Sequence, residues 1–137
     1  MSKKKGSRVE RELFHMLWDM DWAVVRSAGS GSTTMPSPDL IASNGKRILA
    51  IECKAVKGSR KYLTFEEVEQ LSLFSDNFGA EPWVSIKFDN KGWYFLHLSS
   101  LPKSKGSSYS ISLEFAIKHG KSFEEFIGLY EQKKLKN

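Results

Sequence analysis

The stretch Pro38-Asp39-Leu40-Ile41-Ala42-Ser43-Asn44-Gly45-Lys46-Arg47-Ile48-Leu49-Ala50-Ile51-Glu52-Cys53-Lys54 decides how this chain is read. Two short apolar runs flank Asn44-Gly45, and Asn-Gly between apolar runs is the strongest short-range hairpin signal, because both residues tolerate positive φ. Three charges interrupt the apolar pattern: Asp39 where the first strand begins, and Glu52 and Lys54 where the second ends. Side chains alternate along a strand, so Glu52 and Lys54 share one face and Cys53 takes the other. A hairpin returns the end of its second strand to the start of its first, which brings Asp39 and Glu52 to one end. Two acids and a lysine at the end of a largely buried hairpin are costly unless something binds there. That end is the candidate active site.

The chain of 137 residues has the length of a single domain, with basic tails expected at 1–5 and 131–137. Its hydrophobic fraction of 40% and charged fraction of 27% suit a globular protein. No apolar run approaches the ~20 residues of a membrane span, and the N-terminus is polar and basic rather than a signal peptide. One cysteine allows no internal disulfide and suggests no zinc cluster. An intracellular, cytoplasmic location is the default expectation. The net charge of +5 favours a polyanionic partner, nucleic acid before membrane, since no basic amphipathic anchor is evident.

Working outward, Ser7 to Met20 reads as an amphipathic helix, with Ser7 at the N-cap and Glu10 at capping-box spacing. Val9, Leu13, Met16, Leu17 and Met20 form its apolar arc; Glu10 falls inside that arc and Arg11 opposite it. Glu10 either caps the helix or reaches the cavity of Asp39 and Glu52. Trp22 to Ala28 reads as a strand with Arg26 near its end. A Gly/Ser/Pro-rich loop from Gly29 to Pro38 follows; without a Gly-Lys-Ser/Thr ending it is not a P-loop.

Beyond Lys54 comes a basic polar segment, Lys57 to Lys61. Thr64-Phe65-Glu66-Glu67 is another capping-box pattern and opens a second helix that runs to about Phe78, with Val68, Leu71, Phe74 and Phe78 on its stripe and Gly79 as C-cap. That stripe suits the core or a subunit contact. Glu81 to Phe88 and Gly92 to Leu98 form strands around an Asp89–Gly92 turn; Lys87 is either an edge-strand charge or a phosphate contact. Leu101 to Tyr109 reads as a loop, and Ile111 to Lys136 as two short helical stretches broken at Gly120. Helix, three strands, helix, two strands and terminal helices predict an α/β fold: a central mixed five-stranded sheet flanked by helices. With most links being hairpins, it is not a Rossmann fold.

Asp39 and Glu52, with Glu10 and the backbone carbonyl of Cys53 as further donors, make an oxygen-ligand set for a hard cation. Mg²⁺ fits, with Mn²⁺ as a substitute; the three His at 15, 97 and 119 are scattered, which disfavours zinc. A bound metal lowers the pKa of its water and neutralises phosphate charge, and Lys54 adds a fixed positive charge beside it. Acids, lysine and basic surface together describe a phosphodiester hydrolase. No rival chemistry is as complete. Ser30, Ser32 and Ser37 have no His nearby in sequence, and Cys53 on an apolar strand face reads as an inert thiol.

Pro38-Asp39, twelve residues, then Glu52-Cys53-Lys54 resembles the PD-(D/E)xK nuclease motif of the restriction-endonuclease-like fold. The wider sequence resembles the archaeal Holliday junction resolvases, at Gly6-x-x-x-Glu10-Arg11-Glu12-Leu13, Ala23 to Ser30, Asn44-Gly45-Lys46, Ile51 to Lys54, Phe78-Gly79 and Ile86-Lys87-Phe88. The resemblance implies a homodimeric, Mg²⁺-dependent endodeoxyribonuclease that nicks opposing strands of four-way DNA junctions, with no membrane partner and no small-molecule cofactor. By position, it makes Glu10, Asp39 and Glu52 metal ligands, Lys54 the catalytic lysine and Ser30 an assisting loop serine. It makes Arg11, Arg26, Ser30 and Lys87 DNA-contacting residues, and places Phe74 and Phe78 at the dimer interface. Three rivals stand beside this reading: a duplex endonuclease of restriction or repair type, a DNA-binding module without catalysis, and a structural subunit whose acids only form ion pairs with Lys54.

Overall fold

The computed structural model describes residues 2–27, 35–102, 106 and 108–129. Helix α1 (Ser2–Asp19) precedes strands β1 (Ala23–Arg26), β2 (Leu40–Ser43), β3 (Ile48–Val56) and β4 (Arg60–Thr64). Helix α2 (Phe65–Phe78) leads to β5 (Glu81–Phe88), β6 (Gly92–His97) and β7 (Ser108–Ser112), followed by α3 (Leu113–His119) and α4 (Phe123–Phe126). Five strands build one sheet in the order β1-β2-β3-β5-β6. All neighbours in it are antiparallel except β3 and β5, which the α2 crossover makes parallel. The expected mixed five-stranded sheet is therefore present.

The Asn-Gly hairpin forms with Ser43 paired to Ile48, which leaves a four-residue loop. Gly45 takes the positive φ of 92°, and the Asn44 side-chain carbonyl accepts the N–H of Lys46 at 2.9 Å and of Arg47 at 2.8 Å. Helix α2 starts with the predicted capping box: Thr64 Oγ1 accepts the Glu67 N–H, and Glu67 Oε1 accepts the Thr64 N–H. Its C-cap is Gly79, with φ 79°.

The alternation of side chains divides the core into two layers. Leu49, Ile51 and Cys53 of β3 pack with Leu13 and Leu17 of α1, Trp83 of β5, and Phe95 and Phe126. Ala50 and Val56 take the opposite face, with Leu71 of α2, Val84, Ile86 and Phe88 of β5, and Ile111. Glu52 and Lys54 alternate with Cys53, so they belong to the α2 side of the sheet.

Several expectations are corrected. Helix α1 begins at Ser2, so Ser7 is not an N-cap and part of the expected basic tail at 1–5 is helical. Three lysines and one Gly do not stop a helix: lysine is a good helix former and a single Gly costs only about 1 kcal/mol. The basic segment and the 101–109 loop conceal β4 and β7, which form a separate two-stranded sheet pairing Leu63 with Tyr109. Their polar sequences carry no local hydrophobic signal, and each strand's partner lies far away along the chain. Lys87 is not on an edge strand, because β5 lies between β3 and β6. Residues 130–137, which include the C-terminal basic tail, lie outside the described residues.

Candidate active site

Asp39 stands just before β2. Extending the Leu40–Ile51 register by one residue sets it opposite Glu52. Its backbone carbonyl accepts the Ser27 N–H at 2.9 Å, which holds it against the end of β1. Its carboxylate Oδ2 accepts the Cys53 N–H at 2.8 Å. The acid is thus anchored to both neighbouring strands. Glu52 and Lys54 follow on β3, beside Val84 and Ile86 of the parallel strand β5.

Lys54 Nζ lies 3.7 Å from Glu52 Oε2 and donates a 2.6 Å hydrogen bond to Glu67 Oε2 at the start of α2. The hairpin thus brings Asp39, Glu52 and Lys54 together as expected, and Glu67 joins them. On local pattern Glu67 has only a capping role. The Thr-x-x-Glu spacing located the residue, but nothing local could show that its second oxygen meets β3.

Glu10 is inward, its side chain only 16% exposed, and it accepts a 2.9 Å hydrogen bond from Arg26 Nε at the end of β1. It approaches from the α1 side, while Glu52 and Lys54 lie on the α2 side. Among the described residues, no three His, Cys, Asp or Glu side chains stand together as a ready-made ion cage. Arg11 is exposed on α1. Lys87 is bound by both oxygens of Glu12 at 2.8 and 3.0 Å, and Glu12 Oε2 also accepts the Trp93 indole N–H at 3.1 Å. Lys87 therefore belongs to the α1 layer. Ser30 falls outside the described residues.

Electrostatics mark the hairpin end as short of positive charge. Burial pushes the Glu52 carboxyl up to about 8, and the neighbouring Asp39 charge adds to it. Asp39 is raised as well, first by burial, with Glu10 and Glu67 adding and the Cys53 N–H and Lys54 opposing. Burial works against a charged Lys54, but the Glu67 hydrogen bond and the charges of Glu52, Glu67 and Asp39 outweigh it, so its pKa rises. Glu67 is held below the usual carboxylate range: burial opposes this, and the hydrogen bonds from Lys54 and Thr64 prevail. Burial, with Asp39 beside it, puts the Cys53 thiol well above its ordinary range, consistent with an inert core thiol.

Towards the end of α2, Phe74 packs against the α2-side core and stacks on Phe78 at 5.2 Å with an interplanar angle of 16°, and Phe78 is 50% exposed. No helix among the described residues is long and apolar enough to cross a membrane.

The family model of the archaeal Holliday junction resolvase (Hjc) matches residues 1–135. The chain belongs to the archaeal Holliday junction resolvase family. Among resolvases of this family, the crossover junction endodeoxyribonuclease Hjc of Archaeoglobus fulgidus is 42% identical over 132 residues, covering 92% of this chain and 97% of that protein. The Hjc of Sulfolobus acidocaldarius is 34% identical over 134 residues, covering 96% of this chain and 92% of its own length. The solved structure of Archaeoglobus fulgidus Hjc, described as a Holliday junction resolvase from an archaeal hyperthermophile, superposes with a TM-score of 0.83. That match has 36% identity and covers 90% of this chain and all of that one. The α/β fold is thus the resolvase fold, as the sequence predicted.

Proposed function

We propose that this chain is a crossover junction endodeoxyribonuclease that resolves four-way DNA junctions by metal-dependent hydrolysis of phosphodiesters in opposing strands. The observation that carries the reading is the convergence of Asp39, Glu52 and Lys54 at one end of the hairpin in a member of the resolvase family. The donor set is all oxygen. Asp39 and Glu52 are half-buried carboxyls raised above their ordinary range first by burial, Glu52 further by the Asp39 charge and Asp39 further by Glu10 and Glu67, and a divalent cation relieves that condition. Asp39 and Glu52 would hold Mg²⁺, with the Cys53 carbonyl and Glu10 as further donors, the latter after exchanging its bond to Arg26. Bound there, Mg²⁺ supplies Lewis acidity and charge neutralisation for attack by water on the phosphate.

The remaining work falls to the chain's own groups. Lys54 is an ammonium at neutral pH, so it donates hydrogen bonds and positive charge to the scissile phosphate rather than accepting a proton. Arg26, 38% exposed at the rim, can turn from Glu10 to a DNA phosphate. Arg11, Ser30 and Lys87 complete the proposed DNA contacts, with Lys87 released from Glu12. Ser30 also assists catalysis. Phosphate contacts position the duplex arms without reading bases, so little sequence preference is expected. Phe74 and Phe78 join two copies of the chain, holding two sites at the separation that paired nicking requires. Such a substrate places the protein with chromosomal DNA inside the cell.

The test presents four-way junction, splayed arm and linear duplex in parallel, with Mg²⁺, Mn²⁺ and then Ca²⁺. The expected result is paired symmetric nicks on the junction alone with Mg²⁺ or Mn²⁺, and binding without cutting in Ca²⁺. Equal cutting of linear duplex would instead support a restriction or repair endonuclease. Junction binding without cleavage in Mg²⁺ and Mn²⁺ as well as Ca²⁺ would support a DNA-binding module. Glu52→Ala cleaving at the native rate would remove the site assignment.

A further inference from the structure

We propose that Glu67 is the positioning residue for Lys54, and that it keeps the lysine off Glu52. The inference rests on the active-site reading above and adds a residue that reading did not contain. One carboxylate does two jobs here. Oε1 accepts the Thr64 N–H at 2.9 Å and closes the α2 capping box, while Oε2 accepts the Lys54 ammonium at 2.6 Å. The first bond fixes the rotamer of Glu67 against the end of α2, so the position of the second oxygen is set by the helix rather than by a free side chain. Lys54 has a four-carbon stem with many rotamers, and its end is located by this contact.

The alternative partner explains why the contact matters. Glu52 Oε2 is 3.7 Å from Nζ, inside ion-pair range and beyond a hydrogen bond. Without an acceptor on α2, the closest carboxylate for the half-buried ammonium is Glu52. Pairing there would place the lysine on one of the two carboxylates proposed to hold metal. Glu67 therefore separates two functions on β3: Glu52 is left available and Lys54 is held charged beside it.

Glutamine at 67 separates the two jobs of the carboxylate. A Gln side chain can close a capping box through its single oxygen. Its other terminal group is then NH₂, a donor that cannot accept from an ammonium. Glu67→Gln thus preserves the helix start while deleting the acceptor for Lys54. Thr64→Ala does the reverse: it weakens the cap and leaves the Glu67 carboxylate for Lys54.

The experiment measures single-turnover junction cleavage in Mg²⁺, junction affinity in Ca²⁺ and melting temperature for native protein, Glu67→Gln, Thr64→Ala and Lys54→Ala. Metal-free crystals of native protein and Glu67→Gln are compared alongside. Glu67→Gln is expected to cut roughly 10- to 100-fold more slowly, the scale of effect for a misplaced reacting group, with junction affinity within about twofold of native. Its Lys54 is expected to close onto Glu52 in the metal-free crystals. Thr64→Ala is expected to melt earlier and cut within about threefold of the native rate, the small loss of a cap. A Glu67→Gln that cuts at the native rate while Lys54→Ala is inactive would overturn this proposal alone. So would a Thr64→Ala as slow as Glu67→Gln, since helix integrity would then explain both. Lys54→Ala cutting normally would overturn the active-site reading, and this proposal with it.

Discussion

Replacing Glu52 by Gln should stabilise the metal-free protein, increasingly so as the pH rises. Burial and the neighbouring Asp39 move the Glu52 carboxyl from 4.5 to about 8 in the folded chain. Between those values the folded state keeps a proton that the unfolded state has released. Native stability therefore falls as pH rises through this window and levels off above about 8. Each tenfold change in proton affinity is worth about 1.4 kcal/mol, so the ceiling is on the order of 5 kcal/mol. The side chain remains 24% exposed, and solvent screening together with the Lys54 charge lowers the expected effect to about 2–3 kcal/mol. Gln cannot ionise and escapes the penalty. Urea unfolding of both proteins at pH 4, 7 and 9 in EDTA measures it. The two should be nearly equal at pH 4, with Gln the more stable by about 2–3 kcal/mol at pH 9. A difference that stays flat across this range, or a Gln variant less stable at pH 9, would refute the reasoning. Saturating Mg²⁺ should narrow the gap at pH 9 by stabilising only the native protein.

Arg47 makes a bidentate pair with Glu81 at 2.8 and 2.9 Å and donates to the Phe126 carbonyl at 2.8 Å, tying the hairpin loop to β5 and α4. Arg47→Ala should cost about 2–3 kcal/mol in urea unfolding at pH 7. The Arg47 hydrogen bond is the first cause holding Glu81 below the usual carboxylate range, so this contribution should fade as pH falls through the folded value of Glu81. Phe78→Asp should convert a dimer to a monomer in sedimentation at low micromolar concentration; a native protein that is already monomeric and fully active would exclude the α2 contact. Arg26→Ala should weaken junction binding and lower the slope of log affinity against log salt by about 1, measured by fluorescence anisotropy in Ca²⁺.

The site was legible where its signals are local. The Asn44-Gly45 turn, the two acids around it and the alternation that separates Glu52 and Lys54 from Cys53 all lie within seventeen consecutive residues. The Thr64–Glu67 cap and Gly79 likewise marked α2 at both ends. Strands β4 and β7 escaped because pairing, not composition, makes Arg60–Thr64 and Ser108–Ser112 strands. The start of α1 escaped because lysines tolerate a helix without announcing one.

The hairpin, its charged end and the family those residues resemble are written in the order of the amino acids, since strand period and turn chemistry are properties of neighbouring residues. Side-chain partners, by contrast, depend on how distant elements dock. Glu10 meets Arg26, Lys87 meets Glu12, and Lys54 meets Glu67, each across elements that no short-range pattern connects. A salt bridge depends on where two elements dock, and docking follows from the packing of the whole core.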